Sequence, residues 1–193
     1  MVMYVVGAIA AAIWVYLLHV LSRAELWFWR FMVGSMGLFI LLMIFVRPWA
    51  VEPLAHAVAA IAGVFGSLTG SFETYIKYGV IFVNSASGSI TLQVDFECSG
   101  IIEIMAFVSL LTFFRVYTPN ERILVGILGS LFITLANVLR IIIVCEIIHF
   151  GGVEMYYMAH SLIGRIVFYV LSILLYFYVF TKQIGRASCR ERV

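Results

Sequence analysis

The sequence predicts an all-α integral membrane protein: a bundle of about five to six transmembrane helices with a small extracellular β-hairpin and an interfacial helix. Two observations lead to this fold class. Hydrophobic residues make up 64% of the 193 residues and charged residues only 11%, which is far from the composition of a soluble domain. The apolar residues also fall in separate runs of about 20 residues, the length that crosses a bilayer.

The first two spans follow from uninterrupted apolar runs near the N-terminus. Residues 1–21 carry no formal charge and are long enough to cross the membrane. The second span is predicted from about residue 26 or 31 to residue 46. Arg47 and Pro48 are expected to end it, because proline interrupts a helix.

Residues 48–97 form the largest predicted extramembrane segment. Within it, residues 54–68 are apolar but short and rich in Ala and Gly, which favours an interfacial or re-entrant helix over a full span. Residues 80–83 and 90–94 flank a turn-forming stretch and predict a β-hairpin. Cys98 continues the apolar set of the second strand, so its thiol is expected to face the bundle.

The third, fourth and fifth spans are predicted at residues 98–114, 123–145 and 160–180, with a loop at residues 146–159. Basic residues lie beside the first loop, beside the loop after the third span, and after the fifth span: Arg23, Arg30, Arg115, Arg122 and Lys182. The positive-inside rule makes that side cytoplasmic. We therefore expect a multi-pass protein of the cytoplasmic membrane, with residues 48–97 and 146–159 outside.

The last residues, 183–193, change abruptly to a polar and basic composition. They can be back-translated into a common sequencing adapter, so we expect a read-through artefact after a single domain at residues 1–182. An independent nucleotide sequence of the locus tests this expectation. Without its three Arg and one Glu the formal charge falls from +2 to 0, so no basic tail for nucleic acid is inferred.

Three side chains of different chemistry are expected at the outer membrane level. Cys98 begins the third span, where the backbone N–H groups and the macrodipole of a helix start favour a thiolate. Arg140 lies just over a turn from the outer end of the fourth span, and His160 opens the fifth. This set predicts acyl transfer through a thioester, with Cys98 as nucleophile, His160 as acid and base, and Arg140 binding the substrate carbonyl and its oxyanion.

Other residues are expected to support this site. Ser99 and Gly100 are small, which lets another group approach the backbone N–H donors beside the thiol. Asn137 lies three residues before Arg140 and shares its helix face. Glu97, directly before the thiol, is grouped with them, although its carboxylate is expected to be solvated rather than catalytic.

A structural ion pair is expected inside the membrane. Glu103 lies five residues inward from Cys98, and Arg165 lies five residues inward from His160. At about 1.5 Å rise per residue both should reach a similar depth, where an isolated charge is costly. We therefore expect Glu103 and Arg165 to pair.

No cofactor and no metal site are expected. His56 and His149 fall in outer segments without ligand-like spacing to Cys145. Cys145 itself is interpreted as a core thiol, since buried cysteine packs as a small hydrophobic residue.

Three sequence blocks resemble the exosortase/archaeosortase family: Glu97-Cys98-Ser99-Gly100, Asn137-Val138-Leu139-Arg140-Ile141, and His160 with Gly164 behind it. The resemblance covers nearly all of residues 1–182 and is closest to the exosortase G type of Gram-positive bacteria. It implies a membrane transpeptidase or protease with Cys98, Arg140 and His160 as its catalytic residues. The implied partners are membrane-anchored proteins with a C-terminal sorting signal, which combines a short motif, one transmembrane helix and a basic cluster.

That resemblance also implies how a substrate would bind. The helix of the sorting signal would dock laterally in the lipid bilayer, with the cleavage motif extended at the outer interface near Cys98. We expect the edge of the strand at residues 90–96 to bind this motif by β-addition.

Two other function classes stay open at this point. A non-catalytic membrane scaffold or small transporter would use Glu103, Asn137, Arg140 and Arg165 as a polar pathway, and it would tolerate Cys98→Ala. A thiol acyltransferase acting on lipid or glycan would need Cys98 but no peptide substrate.

Overall fold

The structure, a computed structural model, is predominantly helical, as the apolar runs predict. It describes residues 2–85, 88–94, 96 and 98–181. The six α-helices are α1 (Val2–Arg23), α2 (Trp27–Phe45), α3 (Arg47–Thr69), α4 (Ile101–Phe113), α5 (Pro119–Gly151) and α6 (Gly164–Tyr176). Within these described residues, four helical segments are long and apolar enough to cross a membrane: Trp27–Phe45, Arg47–Thr69, Pro119–Gly151 and Val153–Thr181. The chain is a multi-pass helical membrane protein.

The chain divides into two compact units. The first contains Met1–Trp49 and Ile102–Ser130, and the second contains Ala50–Ile101 and Leu131–Val193. A single domain over residues 1–182 stays a prediction. Residues 183–193 lie outside the described residues, so the expected non-native tail also stays a prediction.

In the first unit, bulky aromatic side chains occupy the space that glycines leave on neighbouring helices. A side chain at Gly37 would collide with the indole of Trp14, whose Nε1–H donates to the Val33 carbonyl at 2.9 Å. Likewise, a side chain at Gly129 would lie 2.3 Å from the ring of Phe107, which is fully buried. Glycines that admit a large partner are a usual means of packing apolar helices closely.

The second unit contains a small antiparallel sheet with strands β1 (Phe72–Tyr75), β2 (Val80–Ser85) and β3 (Gly88–Gln93) in the order β1-β2-β3. The hairpin of β2 and β3 is the predicted one, with Val80 opposite Gln93. The sequence does not predict β1, because a strand of four residues is too short to show a clear alternation.

The second span ends as predicted, because α2 ends at Phe45, directly before Val46 and Arg47. The prediction did not include the immediate start of another helix, α3, at Arg47. Pro48 then lies in the first turn of α3, where its missing N–H has no helical partner to lose. The helix also extends well beyond the predicted residues 54–68, to a length of 23 residues.

The small sheet packs directly on α3, a helix long enough and apolar enough to span the membrane. Gly63 leaves no room for a side chain beside Thr74, and Gly66 leaves none beside Phe72. Glu73 of the same strand is exposed. The interfacial position of this helix stays a prediction.

The fourth span is longer than predicted, because α5 continues to Gly151. Glu146 and His149 were expected in a loop, but both are helical. The 33 residues of α5 rise about 50 Å, roughly 20 Å more than the hydrocarbon thickness. Its C-terminal part shares a buried core with α3 and the sheet: Val58, Ala62, Ile81, Val83, Val138, Ile141, Val144 and Ile148. This end of α5 is consequently packed together with α3 and the sheet.

The last helical segment begins earlier than predicted. A 3₁₀ turn at Val153–Met155 follows Gly152, and a π-helical turn at Met158–Ile163 leads into α6. A second π-helical turn, Phe177–Thr181, follows α6. His160 thus lies inside the first π-helical turn rather than at the beginning of a span. Such turns are rare and often occur at functional sites.

Candidate active site

Cys98 lies in a turn before α4, not on the first helical turn as the sequence predicts. The helix begins at Ile101, after a tight turn that Ser99 closes. The buried Ser99 hydroxyl donates to the Phe96 carbonyl at 3.1 Å and accepts the Ile101 N–H at 3.4 Å. Because the helix dipole acts within the first turn, it contributes less to a thiolate at Cys98 than the sequence suggests.

Gly100 and Asn137 hold this turn in place. Gly100 has a φ of 77°, a left-handed conformation that glycine adopts without strain. A side chain there would begin 3.4 Å from Asn137 Cβ. Asn137 is fully buried, and its Nδ2–H donates to the Cys98 carbonyl at 2.7 Å. Asn137 therefore connects α5 directly to the backbone that carries the thiol.

The thiol and the imidazole meet across 62 residues of sequence. Cys98 Sγ lies 3.7 Å from His160 Nε2, within hydrogen-bonding distance for sulfur. Tyr156 stacks on the imidazole, with ring centroids 5.4 Å apart and planes inclined by 16°. The stack fixes the plane in which Nε2 is directed at the thiol.

The sequence gives no reason to select Tyr156. An aromatic residue four positions before a histidine is common on helices, so this spacing does not predict that the two rings stack. The chain is rich in aromatic residues, which account for 16% of the total, so composition carries no signal for this position. The contact becomes apparent only in the folded structure.

Arg140 is almost completely buried, with 6% of its surface exposed. Its guanidinium carbon lies 5.8 Å from the ring centroid of Phe168, a cation–π distance. Among residues 2–85, 88–94, 96 and 98–181, no carboxylate pairs with this guanidinium. A buried cation of this kind is strongly favoured to bind an acceptor oxygen.

Gly164 brings the last helical segment close to α5. A side chain there would lie 2.8 Å from Val144 Cγ2 and 3.3 Å from Arg140 Cγ. The missing side chain thus lets the π-helical turn of His160 approach the turn of α5 that carries Arg140.

The three predicted catalytic residues line one pocket of about 120 Å³ in the second unit. Cys98, Arg140 and His160 share it with residues from the sheet, α5 and the segment before α6: Ile81, Thr91, Leu92, Gln93, Val94, Ile141, Val144 and Tyr156. The three residues therefore line the same small space, which strand β3 also bounds.

The other predicted supporting residues have different positions. Glu97 lies outside the described residues, so its role stays a prediction. Glu103 belongs to the first unit, and Arg165 belongs to the second, where its side chain is exposed. Their expected ion pair stays a prediction.

The histidines and thiol that were weighed as metal ligands have other surroundings. Cys145 is fully buried in the apolar core of the second unit. The ring Nδ1 of His149 hydrogen-bonds to the Asn84 carbonyl, which ties α5 to the hairpin. In the described part of the chain, no three His, Cys, Asp or Glu side chains are close enough to hold a metal ion.

Comparison with protein families gives one match. A family model described as transmembrane exosortase matches residues 2–178. The match contains the segments of both units and all three catalytic candidates. No curated protein and no solved structure matches the chain.

Proposed function

The chain belongs to the transmembrane exosortase family of membrane-embedded cysteine transpeptidases, and on this premise we propose that it cleaves the C-terminal sorting signal of exported proteins. The observation that carries the proposal is the 3.7 Å distance between Cys98 Sγ and His160 Nε2 in a pocket that Arg140 also lines. A thiol within hydrogen-bonding distance of an imidazole is the arrangement of an activated nucleophile.

In the first step, His160 accepts the thiol proton and the Cys98 thiolate attacks the scissile carbonyl carbon. A carbon–sulfur bond forms, and the carbonyl oxygen becomes the oxyanion of a tetrahedral intermediate. Arg140 stabilises that oxyanion, because its guanidinium keeps its charge and the residue, which is almost completely buried, lines the pocket.

In the second step, the intermediate collapses as the carbon–nitrogen bond breaks. The imidazolium of His160 returns the proton to the leaving amine, and the acyl group stays on Cys98 as a thioester. Attack by water then releases a carboxylate, whereas attack by an amine forms a new amide. Either acceptor regenerates the thiolate.

Asn137 and Gly100 act through the position of the nucleophile. The Asn137 side chain donates to the Cys98 carbonyl at 2.7 Å, and Gly100 permits the left-handed turn that follows the thiol. These contacts keep Cys98 at a fixed distance from α5 and its Arg140. A catalytic site requires such support, since small displacements of a reacting atom lower the rate strongly.

The active site is proposed to face the outside of the cytoplasmic membrane. Two observations support this orientation. The C-terminal end of α5 shares a buried core with a sheet whose open edge would be costly in hydrocarbon. Basic residues are concentrated in the loops expected on the opposite side. A membrane-impermeant maleimide should therefore label Cys98 in intact cells, and labelling only after cell lysis would refute the orientation.

The proposed function is tested by co-expression with helix-anchored candidate substrates from the same genome, followed by intact mass measurement. Wild-type protein should remove the C-terminal segment of a true substrate, and Cys98→Ala should abolish this processing. Cys145→Ala is the matched control, because Cys145 is a fully buried core thiol outside the pocket.

Each contrary result points to a different function. Processing that persists in folded Cys98→Ala would reduce Cys98 to a packed cysteine and refute the proposed mechanism, as expected for a membrane scaffold or small transporter, which tolerates this substitution. A Cys98-dependent modification of lipid or glycan, without peptide cleavage, would make it a thiol acyltransferase.

A further inference from the structure

The outer edge of β3 runs along the active-site pocket. Residues 91–94 line this pocket together with Cys98, Arg140 and His160. β3 is the terminal strand in the order β1-β2-β3, and in the part of the chain that the structure describes no strand pairs with its other side. An unpaired strand edge presents a row of main-chain donors and acceptors.

One hydrogen bond shows in which direction the main-chain donors and acceptors of β3 point. Val94 donates its N–H to the Gly79 carbonyl at 2.8 Å, on the side of β2. Main-chain groups of successive residues point to opposite sides of an antiparallel strand. Those of Thr91 and Gln93 therefore point away from β2, about 7 Å apart, the repeat of two residues in a strand.

At the end nearer the thiol, no described strand pairs with this edge. At its other end, a side chain on Gly88 would lie 3.8 Å from Val153 Cγ2, so the 3₁₀ turn before Met158 approaches the beginning of β3. Thr91 and Gln93, in contrast, lie where the strand borders the pocket. An extended segment on this edge would therefore lead to Cys98.

We propose that Thr91 and Gln93 bind the cleavage motif of the substrate as an added β-strand, which delivers the scissile carbonyl to Cys98. The inference rests on the proposed function, and it names the occupant as an extended peptide. Only a peptide backbone offers alternating donors and acceptors with the 7 Å repeat of a strand, at about the spacing of this edge.

The pocket walls indicate which side chains the motif carries. Apolar Ile81, Leu92, Ile141 and Val144 form part of the lining, next to polar and charged residues, and the space is only about 120 Å³. Side chains of an added strand alternate between its two faces. We expect small apolar residues at alternate positions of the motif, next to the scissile bond.

The probe for this inference is acetyl-trialanyl chloromethyl ketone, applied to the purified full-length protein. The Cys98 thiolate displaces chloride, forms a carbon–sulfur bond, and yields an adduct that peptide mass mapping locates. Three analogues each carry one N-methyl group on an alanine nitrogen, which removes one backbone donor. Iodoacetamide, which has no peptide backbone to pair with β3, reports the reactivity of the thiol itself.

An added strand predicts alternation in the labelling rates. An N-methyl group on a nitrogen that donates to β3 should slow labelling about tenfold, the loss expected for one or two hydrogen bonds. An N-methyl group on a neighbouring nitrogen, which points away from β3, should change the labelling rate little. Gln93→Pro should slow the peptidyl probe by a similar factor while iodoacetamide labelling stays unchanged. Proline is tolerated on an edge strand, so the variant is expected to fold.

Ser89→Pro is the matched control, because Ser89 has the same orientation in β3 but does not line the pocket. Equal labelling by all N-methyl analogues of the wild-type protein would overturn the inference, even if the proline variants misfold. Failure of the proposed function is distinct: sorting signals would then be processed without Cys98, whatever the N-methyl pattern. If processing depends on Cys98 but the labelling rates of the N-methyl analogues do not alternate, only the binding of the motif to the edge of β3 is refuted.

Discussion

The two units bury polar side chains in different ways. In the first unit, Ser35 and Ser109 are buried, and each hydroxyl bonds to a carbonyl of its own helix, at 2.8 Å from Phe31 and Ala106 respectively. In the second unit, the buried amide of Asn137 bonds instead to a residue 39 positions away. Local bonding satisfies a hydroxyl without fixing any other element, whereas the long-range bond holds two elements together.

The two kinds of hydrogen bond indicate different roles, helix packing for the local bonds and support of the candidate active site for the long-range bond. A buried polar group costs about 1–3 kcal/mol unless it is hydrogen-bonded, and a bond within one helix is the simplest way to satisfy it. The second unit has local bonds as well, such as that of Ser99, but it also buries an amide bonded to a distant partner, together with a buried cation. Such groups are retained where they position reacting atoms.

The sharpest test of the comparison sets Arg140 against Arg122, one arginine from each unit. Arg140→Gln should lower the processing rate by about 10²–10³-fold, as expected when an oxyanion-binding group is lost. Its thermal midpoint should stay near that of wild type, since no carboxylate of the described residues pairs with this buried cation and its removal need not destabilise the fold. Rates are measured on the substrate that co-expression identifies.

Arg122→Gln should lower the stability of the protein and leave its processing rate unchanged, the reverse of Arg140→Gln. Its guanidinium donates to the carbonyls of Phe114 and Tyr117, at 3.0 and 3.4 Å, which ties down the turn before α5. Loss of these charged hydrogen bonds should cost about 1.5–3 kcal/mol of stability. The rate per folded molecule should not change. If Arg140→Gln lowers only the stability and keeps the rate, the distinction between the units is wrong.

A second pair compares one glycine from each unit. Gly100→Ala should destabilise the protein by about 1–2 kcal/mol, because alanine is strained at a φ of 77°. Gly126→Ala places a methyl group 3.5 Å from Leu111 Cδ2, an ordinary contact in the middle of α5. It should stabilise the helix by about 0.5–1 kcal/mol.

Thermal midpoints and iodoacetamide labelling of Cys98 measure both glycine variants. Only Gly100→Ala should alter the labelling rate, because only that turn carries the thiol. Equal effects of the two substitutions would mean that the turn after Cys98 tolerates a side chain.

Hydropathy predicts most of the first unit correctly. The boundaries of α1 and α2 lie within about two residues of the predicted spans when the second is begun at Leu26. Each of these helices is specified by its own apolar residues, so a single stretch of sequence contains the necessary information.

The second unit is predicted less well, because its elements depend on each other. Glu146 and His149 were assigned to a loop from their polarity, whereas they extend α5 beside the sheet. β1 is defined by pairing with β2, and the π-helical turn around His160 has no local sequence signature. Cys98, Arg140 and His160 could still be selected, since a thiol, a buried cation and an imidazole are rare in apolar sequence.

Tyr156 gives the smallest expected effect and the finest test of the second unit. The stacked ring should matter through its face and not through its hydroxyl, because the contact with His160 is between parallel rings. Tyr156→Phe should therefore keep the wild-type processing rate, whereas Tyr156→Ala should lose about 2–10-fold, the range expected for an aromatic pair worth about 0.5–1.5 kcal/mol.

The pH dependence of Cys98 alkylation distinguishes positioning of the imidazole from a general loss of structure. Tyr156→Ala frees the His160 ring to rotate, so the thiolate loses part of its imidazolium partner and the alkylation profile should move to higher pH. Tyr156→Phe should leave the profile unchanged. A slower Tyr156→Ala with an unshifted profile would reduce Tyr156 to a packing residue, like the aromatic rings that fill the glycine spaces of the first unit.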